Sequence, residues 1–159
     1  MNAIKSFIAI VTLSLAMFST VKPVSAHCEI PCGIYDDSVR IALIYEHIST
    51  IEKSMLMIKK LERAETVDYN QLVRWVMNKE EHAKKIQEIV SQYFMHQRIK
   101  PVDEIEKEKF AKYVEQLTSL HQISVFAMKA KQTTDEVYIK KLREMVHSFE
   151  HAYFEGHTH

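Results

Sequence analysis

The sequence contains only two glycines among its 159 residues. They are Gly33 and Gly156, so no glycine interrupts the long stretch between them. β-Sandwiches and dinucleotide-binding α/β folds use glycine at their turns, and this scarcity therefore disfavours both classes. Apolar residues make up 47% of the chain, which is enough to build a core. The sequence therefore predicts one domain of long helices that are joined by short connections.

Apolar residues recur at three- and four-residue spacing in four segments, as they do on the buried face of a helix. The four predicted helices cover residues 37–63, 68–97, 103–131 and 134–154. Asp36 or Asp37 is suited to cap the first of them. Because the connections are only a few residues long, successive helices should pack antiparallel. The predicted fold class is all-α: an up-down antiparallel four-helix bundle over residues 36–159, preceded by an irregular hook over residues 27–35.

The same spacing predicts which side chains form the core of this bundle. The predicted core residues include Ile44, Ile48, Ile51, Met55, Val73, Met77, Ile86, Phe94, Leu120, Ile123, Leu142, Val146 and Phe149. His121 lies within an apolar stretch of the third helix and is expected to be a buried, hydrogen-bonded residue.

The charges of the chain are balanced, with 21 lysines and arginines against 21 aspartates and glutamates. A nucleic-acid-binding surface requires clustered positive charge, and the sequence contains no such cluster. Nucleic acid is therefore not a predicted partner.

The first 26 residues have the three parts of a secretory signal peptide. Lys5 supplies the positive charge, and residues 7–18 form an apolar run that is too short to span a bilayer comfortably. Val-Ser-Ala at 24–26 fits the small-x-small rule for cleavage. An uncleaved membrane anchor is the alternative. Cleavage would leave a mature protein that begins at His27, has no membrane contact and resides in the periplasm or outside the cell.

Both cysteines of the chain follow this cleavage site directly, in the segment His27-Cys28-Glu29-Ile30-Pro31-Cys32-Gly33-Ile34-Tyr35. In an oxidising compartment a disulfide between Cys28 and Cys32 is one interpretation of the pair. Closing so short a loop contributes little stability, however, because the loop entropy that it removes is small. The neighbouring donor groups favour a metal site instead.

Cleavage would give His27 a free α-amine in addition to its imidazole. That amine, the Cys28 amide nitrogen and the Cys28 thiolate can chelate one ion in two fused five-membered rings, and the Cys32 thiolate can complete a plane. Planar nitrogen and sulfur donors favour Ni(II) or Cu(II), whereas zinc prefers a tetrahedron. The imidazole of His27 would remain available as an axial ligand. The residues alone leave nickel and copper open.

The segment resembles the nickel hook of nickel-containing superoxide dismutases, whose pattern is H-C-x-x-P-C-G-x-Y. Weaker similarity continues through residues 79–81, 91–94 and 100–101, which resemble the second helix of the family and its exit. The resemblance implies a four-helix bundle, a homohexamer and one nickel ion per chain. It also implies the disproportionation of superoxide to dioxygen and hydrogen peroxide by Ni(II)/Ni(III) cycling.

Carried over residue by residue, the resemblance implies that His27, Cys28 and Cys32 are the metal ligands. The imidazole of His27 would bind the oxidised metal. Tyr35 would close the pocket above the nickel, order substrate or water with its hydroxyl, and limit access to small anions. Pro31 and Gly33 would shape the hook.

The sequence departs from the family pattern behind the axial imidazole. Members of the family place a glutamate of the first helix and an arginine of the second helix there, and Ala42 and His82 fall at the matching positions. Glu46 and Glu81 are the candidates to replace the missing carboxylate.

Other functions remain open from the residues. The main alternative is a non-catalytic secreted protein that binds nickel or copper with the same hook, although a simple chelator has no need of Tyr35. Residues 147–151 fit the H-x-x-E-H motif of inverted zinc metalloproteases, a short match that arises easily by chance among nine histidines. The histidines of residues 156–159 are a further candidate for loose metal binding.

Overall fold

The computed structural model describes residues 31–154, so the predicted signal peptide and the hook residues up to Ile30 lie outside the described residues. The chain divides into two units between Cys32 and Gly33, and all the described helices belong to the second unit. These helices are α1 (Asp37–Glu62), α2 (Tyr69–Glu88), a π-helix that continues α2 (Ile89–Arg98), α3 (Lys107–Gln132) and α4 (Val137–Phe154). No strand occurs among the described residues, which confirms the predicted all-α class.

Side-chain contacts between the helices show that neighbours run antiparallel. Contacts between α1 and α4, including the residue just before α4, join Tyr45 to Glu150, Glu52 to Arg143, and Lys59 to Glu136. Contacts between α1 and α2 with its π-helical continuation join Asp37 to Tyr93, His47 to His82, and Ser54 to Asn78. In both sets the residue number rises along one helix as it falls along the other. The predicted up-down bundle is therefore confirmed.

The helix starts follow from local hydrogen bonds. Asp36 caps α1, because its carboxylate accepts a hydrogen bond from the backbone of Val39 at 3.1 Å. This selects one of the two predicted caps. The third helix begins at Lys107 rather than at the predicted Asp103, because the Asp103 carboxylate instead accepts from the backbone of Ile105 in a turn.

The core lies between the four helices. The largest fully buried side chains are Phe94, Phe149, Ile44, Ile48, Ile51, Met55, Ile86, Leu120, Ile123, Leu142, Val90 and Val146. Most of the predicted core is thus confirmed. Val73 and Met77 are wrong predictions, because 54% and 64% of their surfaces are exposed. His121 is also exposed rather than buried.

The C-terminal end of the second helix differs from the prediction. A continuous α-helix was expected up to residue 97, but the last ten residues form a π-helix that ends at Arg98. Its wider turns are visible where the backbone N–H of Ile99 donates to the Phe94 carbonyl at 2.8 Å, five residues back. π-Helical segments change the direction in which side chains project and often occur at functional sites. Here the segment carries Tyr93 and Arg98, both of which contact Tyr35, the last residue of the hook, and Asp37 at the start of α1.

Candidate functional site

Of the three predicted metal ligands, only Cys32 lies among the described residues, and its thiol is exposed. His27 and Cys28 lie outside them. Residues 31–154 contain no group of three or more His, Cys, Asp or Glu side chains arranged to hold a metal ion. The ligand set of His27, Cys28 and Cys32 therefore stays a prediction. Its chemistry fits nickel, because two thiolates and two nitrogen donors suit a planar Ni(II) ion.

The turn after Cys32 has a backbone conformation that requires glycine. Gly33 has a φ angle of +78°, in the left-handed region that residues with a side chain rarely adopt. A Cβ atom at this position would meet no other atom within 4 Å, so the backbone angle is the constraint and not a lack of space. This conformation agrees with the predicted role of Gly33 in reversing the chain.

Tyr35 lies just before α1 and is held by two side chains of the π-helix. The guanidinium of Arg98 lies over its ring, 4.4 Å from the ring centre. The ring of Tyr93 meets it edge to face, with the two ring centres 5.9 Å apart. Tyr35 nevertheless has 37% of its surface exposed to solvent. The last residue of the hook is thus oriented by the bundle.

The carboxylate of Asp37 is the centre of this cluster. It accepts hydrogen bonds from the hydroxyls of Tyr93 and Tyr153 at 2.6 and 2.8 Å. It also accepts two from Arg98, one from Nε at 2.8 Å and one from a terminal guanidinium nitrogen at 2.6 Å. Asp37 therefore joins the start of α1 to the π-helix and to the last turn of α4. We call Tyr35, Asp37, Tyr93, Arg98 and Tyr153 the tyrosine cluster.

The charges of the tyrosine cluster follow from these contacts. Burial by itself would raise the pKa of Asp37, but the hydrogen bonds from Arg98, Tyr93 and Tyr153 outweigh it and hold the pKa below its usual range. Burial and the Asp37 carboxylate raise the pKa of Tyr153 to about 12. The hydrogen bond to Asp37 raises the pKa of Arg98. At neutral pH Asp37 and Arg98 therefore form an ion pair, and the hydroxyls of Tyr93 and Tyr153, whose pKa values are raised, keep their protons.

A second polar contact joins α1 to α2 through two histidines. Nδ1 of His47 and Nδ1 of His82 are 3.1 Å apart, and the two rings meet edge to face. The partner of His82 is thus His47. His47 lies five residues after Ala42, and Ala42 is the position that the resemblance matched to the glutamate of the family. His82 also precedes Tyr93 by eleven residues, or about 16 Å of helix, so this pair is separate from the tyrosine cluster.

The sequence interpretation missed His47 and Arg98. His47 is buried next to the apolar stripe of α1, and a histidine at such a position indicates a polar partner within the bundle. That partner is 35 residues away, and nothing local identifies it. Arg98 lies at the end of a helix, where a basic residue is ordinarily explained by the helix dipole.

The imidazoles of His47 and His82 both resist protonation. Burial lowers both pKa values, and Lys85 contributes to each. His82 itself also lowers the pKa of His47, whereas Glu46 opposes the shift in both residues. The unfolded chain, in contrast, binds protons at its histidines near pH 6.5. At a pH between the lowered pKa values of the folded state and the unfolded value near 6.5, the unfolded state binds more protons than the folded state. The free energy of unfolding therefore decreases as the pH falls through about 6.5.

We expect His47→Gln to weaken this pH dependence. Urea unfolding between about pH 7.5 and 5 should show a smaller loss of stability in the variant than in the wild type, because one shifted imidazole is absent. His121→Gln is the matched control, since His121 is an exposed histidine of α3. Equal pH slopes for the wild type and His47→Gln would contradict the expectation.

None of the described helices is both long enough and apolar enough to span a membrane. No curated protein and no solved structure matches the chain in the comparisons made. The sequence model of one family does match, over residues 22–157, and that family is described as nickel-containing superoxide dismutase. The matched region includes the hook, the tyrosine cluster and all four helices. The chain therefore belongs to the nickel-containing superoxide dismutase family, whose members are oxidoreductases with a nickel cofactor.

Proposed function

We propose that the mature chain begins at His27 and disproportionates superoxide at a nickel ion bound by its first residues. Membership of the family implies the activity and the metal. The observation that supports the ligand assignment is the H-C-x-x-P-C-G-x-Y pattern directly after the predicted cleavage site. The ligands would be the amine and imidazole of His27, the amide nitrogen and thiolate of Cys28, and the thiolate of Cys32.

When bound, nickel supplies a one-electron couple that superoxide can reduce and reoxidise in turn. The overall reaction converts two superoxide ions and two protons to dioxygen and hydrogen peroxide. The protein must therefore admit a small anion and deliver protons. The ring of Tyr35 would limit the entrance to small anions, and the protons would come from water ordered by its hydroxyl or from a protonated thiolate of the hook.

Electrostatic attraction of superoxide would depend on local cations, since a mature chain without Lys5 and Lys22 has 21 − 2 = 19 basic residues against 21 acidic ones and is slightly negative. Arg40 is the best candidate near Tyr35. Its guanidinium lies 4.9 Å from the ring centre of Tyr93, which itself contacts Tyr35. Arg98 is closer to Tyr35, but its charge is balanced by Asp37. Arg40 would therefore contribute more of the positive potential at the entrance.

Export and assembly form part of the same proposal. The signal-peptide features of residues 1–26 support secretion to the periplasm or beyond, and the family resemblance supports a homohexamer. The outer face of α2 supports association, because Tyr69, Val73 and Met77 expose 72%, 54% and 64% of their surfaces there. Apolar side chains that remain exposed on a single chain are typical of surfaces that another chain covers.

The experiment that tests the proposal combines the intact mass of the protein from its native host with its metal content. We expect a mature chain that starts at His27 and contains one nickel ion. A start at any other residue would contradict the ligand assignment, because an upstream residue converts the amine of His27 to an amide. One nickel ion without dismutation of superoxide would favour the alternative, a non-catalytic metal-binding protein.

A further inference from the structure

Arg98 contacts both Tyr35 and the Asp37 carboxylate. Tyr93 also contacts both, but it meets Tyr35 edge to face and gives Asp37 a single hydrogen bond, whereas Arg98 lies over the Tyr35 ring and donates to both carboxylate oxygens. From this geometry we infer that Arg98 is a positioning residue for Tyr35, and that Asp37 holds Arg98 in place. The orientation of Tyr35 is then a property of the folded bundle and does not depend on the metal. The consequence for catalysis rests on the proposed function, in which Tyr35 lines the entrance to the nickel site.

The two contacts use different parts of the guanidinium. Its edge donates to both oxygens of Asp37, from Nε at 2.8 Å and from a terminal nitrogen at 2.6 Å. Its flat face covers the Tyr35 ring, 4.4 Å from the ring centre. A planar group with donors along its edge can make both contacts at once, whereas the ammonium of lysine cannot. The arrangement therefore requires arginine and not merely a positive charge.

Asp37 is itself held firmly enough to orient Arg98. Besides the two bonds from Arg98, it accepts hydrogen bonds from the hydroxyls of Tyr93 and Tyr153, which belong to the π-helix and α4. The Asp37 and Arg98 side chains are only 16% and 28% exposed. Restricted exposure and four donors leave the carboxylate one orientation, so the guanidinium plane is defined as well.

The π-helix explains how Arg98 reaches this position. Its ten residues are hydrogen-bonded over five positions rather than four, so the side chains near its end project differently from those of a continuous α-helix. The same segment provides Tyr93, whose ring meets that of Tyr35 edge to face. Tyr35 is therefore contacted by two residues of one helical segment, and 37% of its surface is exposed.

The test uses the metal-free mature protein, with NMR spectra recorded on ring-labelled tyrosine. Tyr35→Phe assigns the Tyr35 signals. Arg98→Lys keeps the charge and removes the planar stack, so we expect the Tyr35 signals to move towards those of an unstructured tyrosine. Tyr138 packs against Phe126, outside the tyrosine cluster, and its unchanged signals would show that the variant is folded. Unchanged Tyr35 signals in a folded Arg98→Lys protein would overturn the inference.

Arg143→Lys is the matched control. Arg143 also bridges two helices, donating to Glu52 at 2.9 Å, but it belongs to the contact between α1 and α4. We expect this variant to leave the Tyr35 signals unchanged. If Arg98→Lys does not fold, the reciprocal variant Tyr35→Leu tests the same contact, because it removes the ring and leaves Asp37 intact. It should shift the Nε–H signal of Arg98, and the absence of a shift would also overturn the inference.

Activity then separates the inference from the proposed function. With nickel bound at the wild-type level, Arg98→Lys should lower kcat/KM for superoxide about fivefold, the size of effect that loss of a cation–π contact gives. If the Tyr35 signals move but kcat/KM is unchanged, the positioning role stands and the entrance role of Tyr35 is wrong. If the wild type with bound nickel has no activity, the proposed function fails while the NMR result still decides the positioning role.

Discussion

Retaining one alanine before His27 should lower superoxide dismutation by more than about 100-fold, the loss that removing even a supporting group of a metal site can reach. The additional residue converts the α-amine of His27 to an amide, which removes one of the predicted nitrogen ligands. The side chains of His27, Cys28 and Cys32 remain unchanged. The measurement is the rate of superoxide decay together with the nickel content of each protein.

The matched control adds one alanine after His159, which changes the length of the chain equally and leaves the N-terminus free. This control should retain wild-type activity. Wild-type activity in the N-terminally extended protein would mean that the amine is not a ligand. It would leave the fold and the family membership untouched, since neither depends on the cleavage site.

Asp37→Ala should lower the free energy of unfolding by about 3 kcal/mol, because it leaves a guanidinium and two tyrosine hydroxyls without their common acceptor. The loss corresponds to a decrease in Tm of about 10 °C for a domain of this size. Thermal unfolding followed by circular dichroism measures it. Asp37 has this effect because it joins α1, the π-helix and α4.

Asp36→Ala is the matched control for this variant, since Asp36 is the adjacent carboxylate and caps α1 on an exposed surface. Loss of this exposed cap should cost less than loss of Asp37, because the cap accepts from one backbone N–H and one neighbouring hydroxyl. The contribution of Asp37 also depends on pH. The pKa of Asp37 is lowered in the folded state, so its stabilising effect is complete above about pH 4 and disappears as the pH falls through that lowered pKa. Equal losses in both variants at neutral pH would contradict the central role of Asp37.

The helices could be predicted well because their signals are local. Ile44, Ile48, Ile51 and Met55 recur at helical spacing and are completely buried. The same rule fails for Met77, because apolar periodicity identifies a face and not what covers that face. The outer half of α2 is uncovered within one chain. Helix starts also depend on competing turns, as at Asp103, which periodicity does not represent.

The hook could be interpreted from the sequence because its chemistry depends on neighbouring residues. The predicted ligands amine, amide nitrogen and thiolate belong to His27 and Cys28. Gly33 can adopt the positive φ angle that the reversal of the chain requires. Such short-range geometry is determined by covalent connection and backbone preference. The donor groups alone left nickel and copper open, and it was the resemblance of this segment to the nickel hook that implied the family, the nickel and the enzyme class, which the family match confirms.

Only the tertiary structure shows which distant polar residues contact each other. Asp37 and Arg98 are 61 positions apart, and His47 and His82 are 35 apart. Each pair meets because two antiparallel helices pack in one particular register, and that register results from the packing of the whole core. A charge or an imidazole at one position does not specify its partner. The sequence by itself determined the helices and predicted the donor groups of the hook, and the packed bundle determined the contacts of Tyr35 with Tyr93 and Arg98.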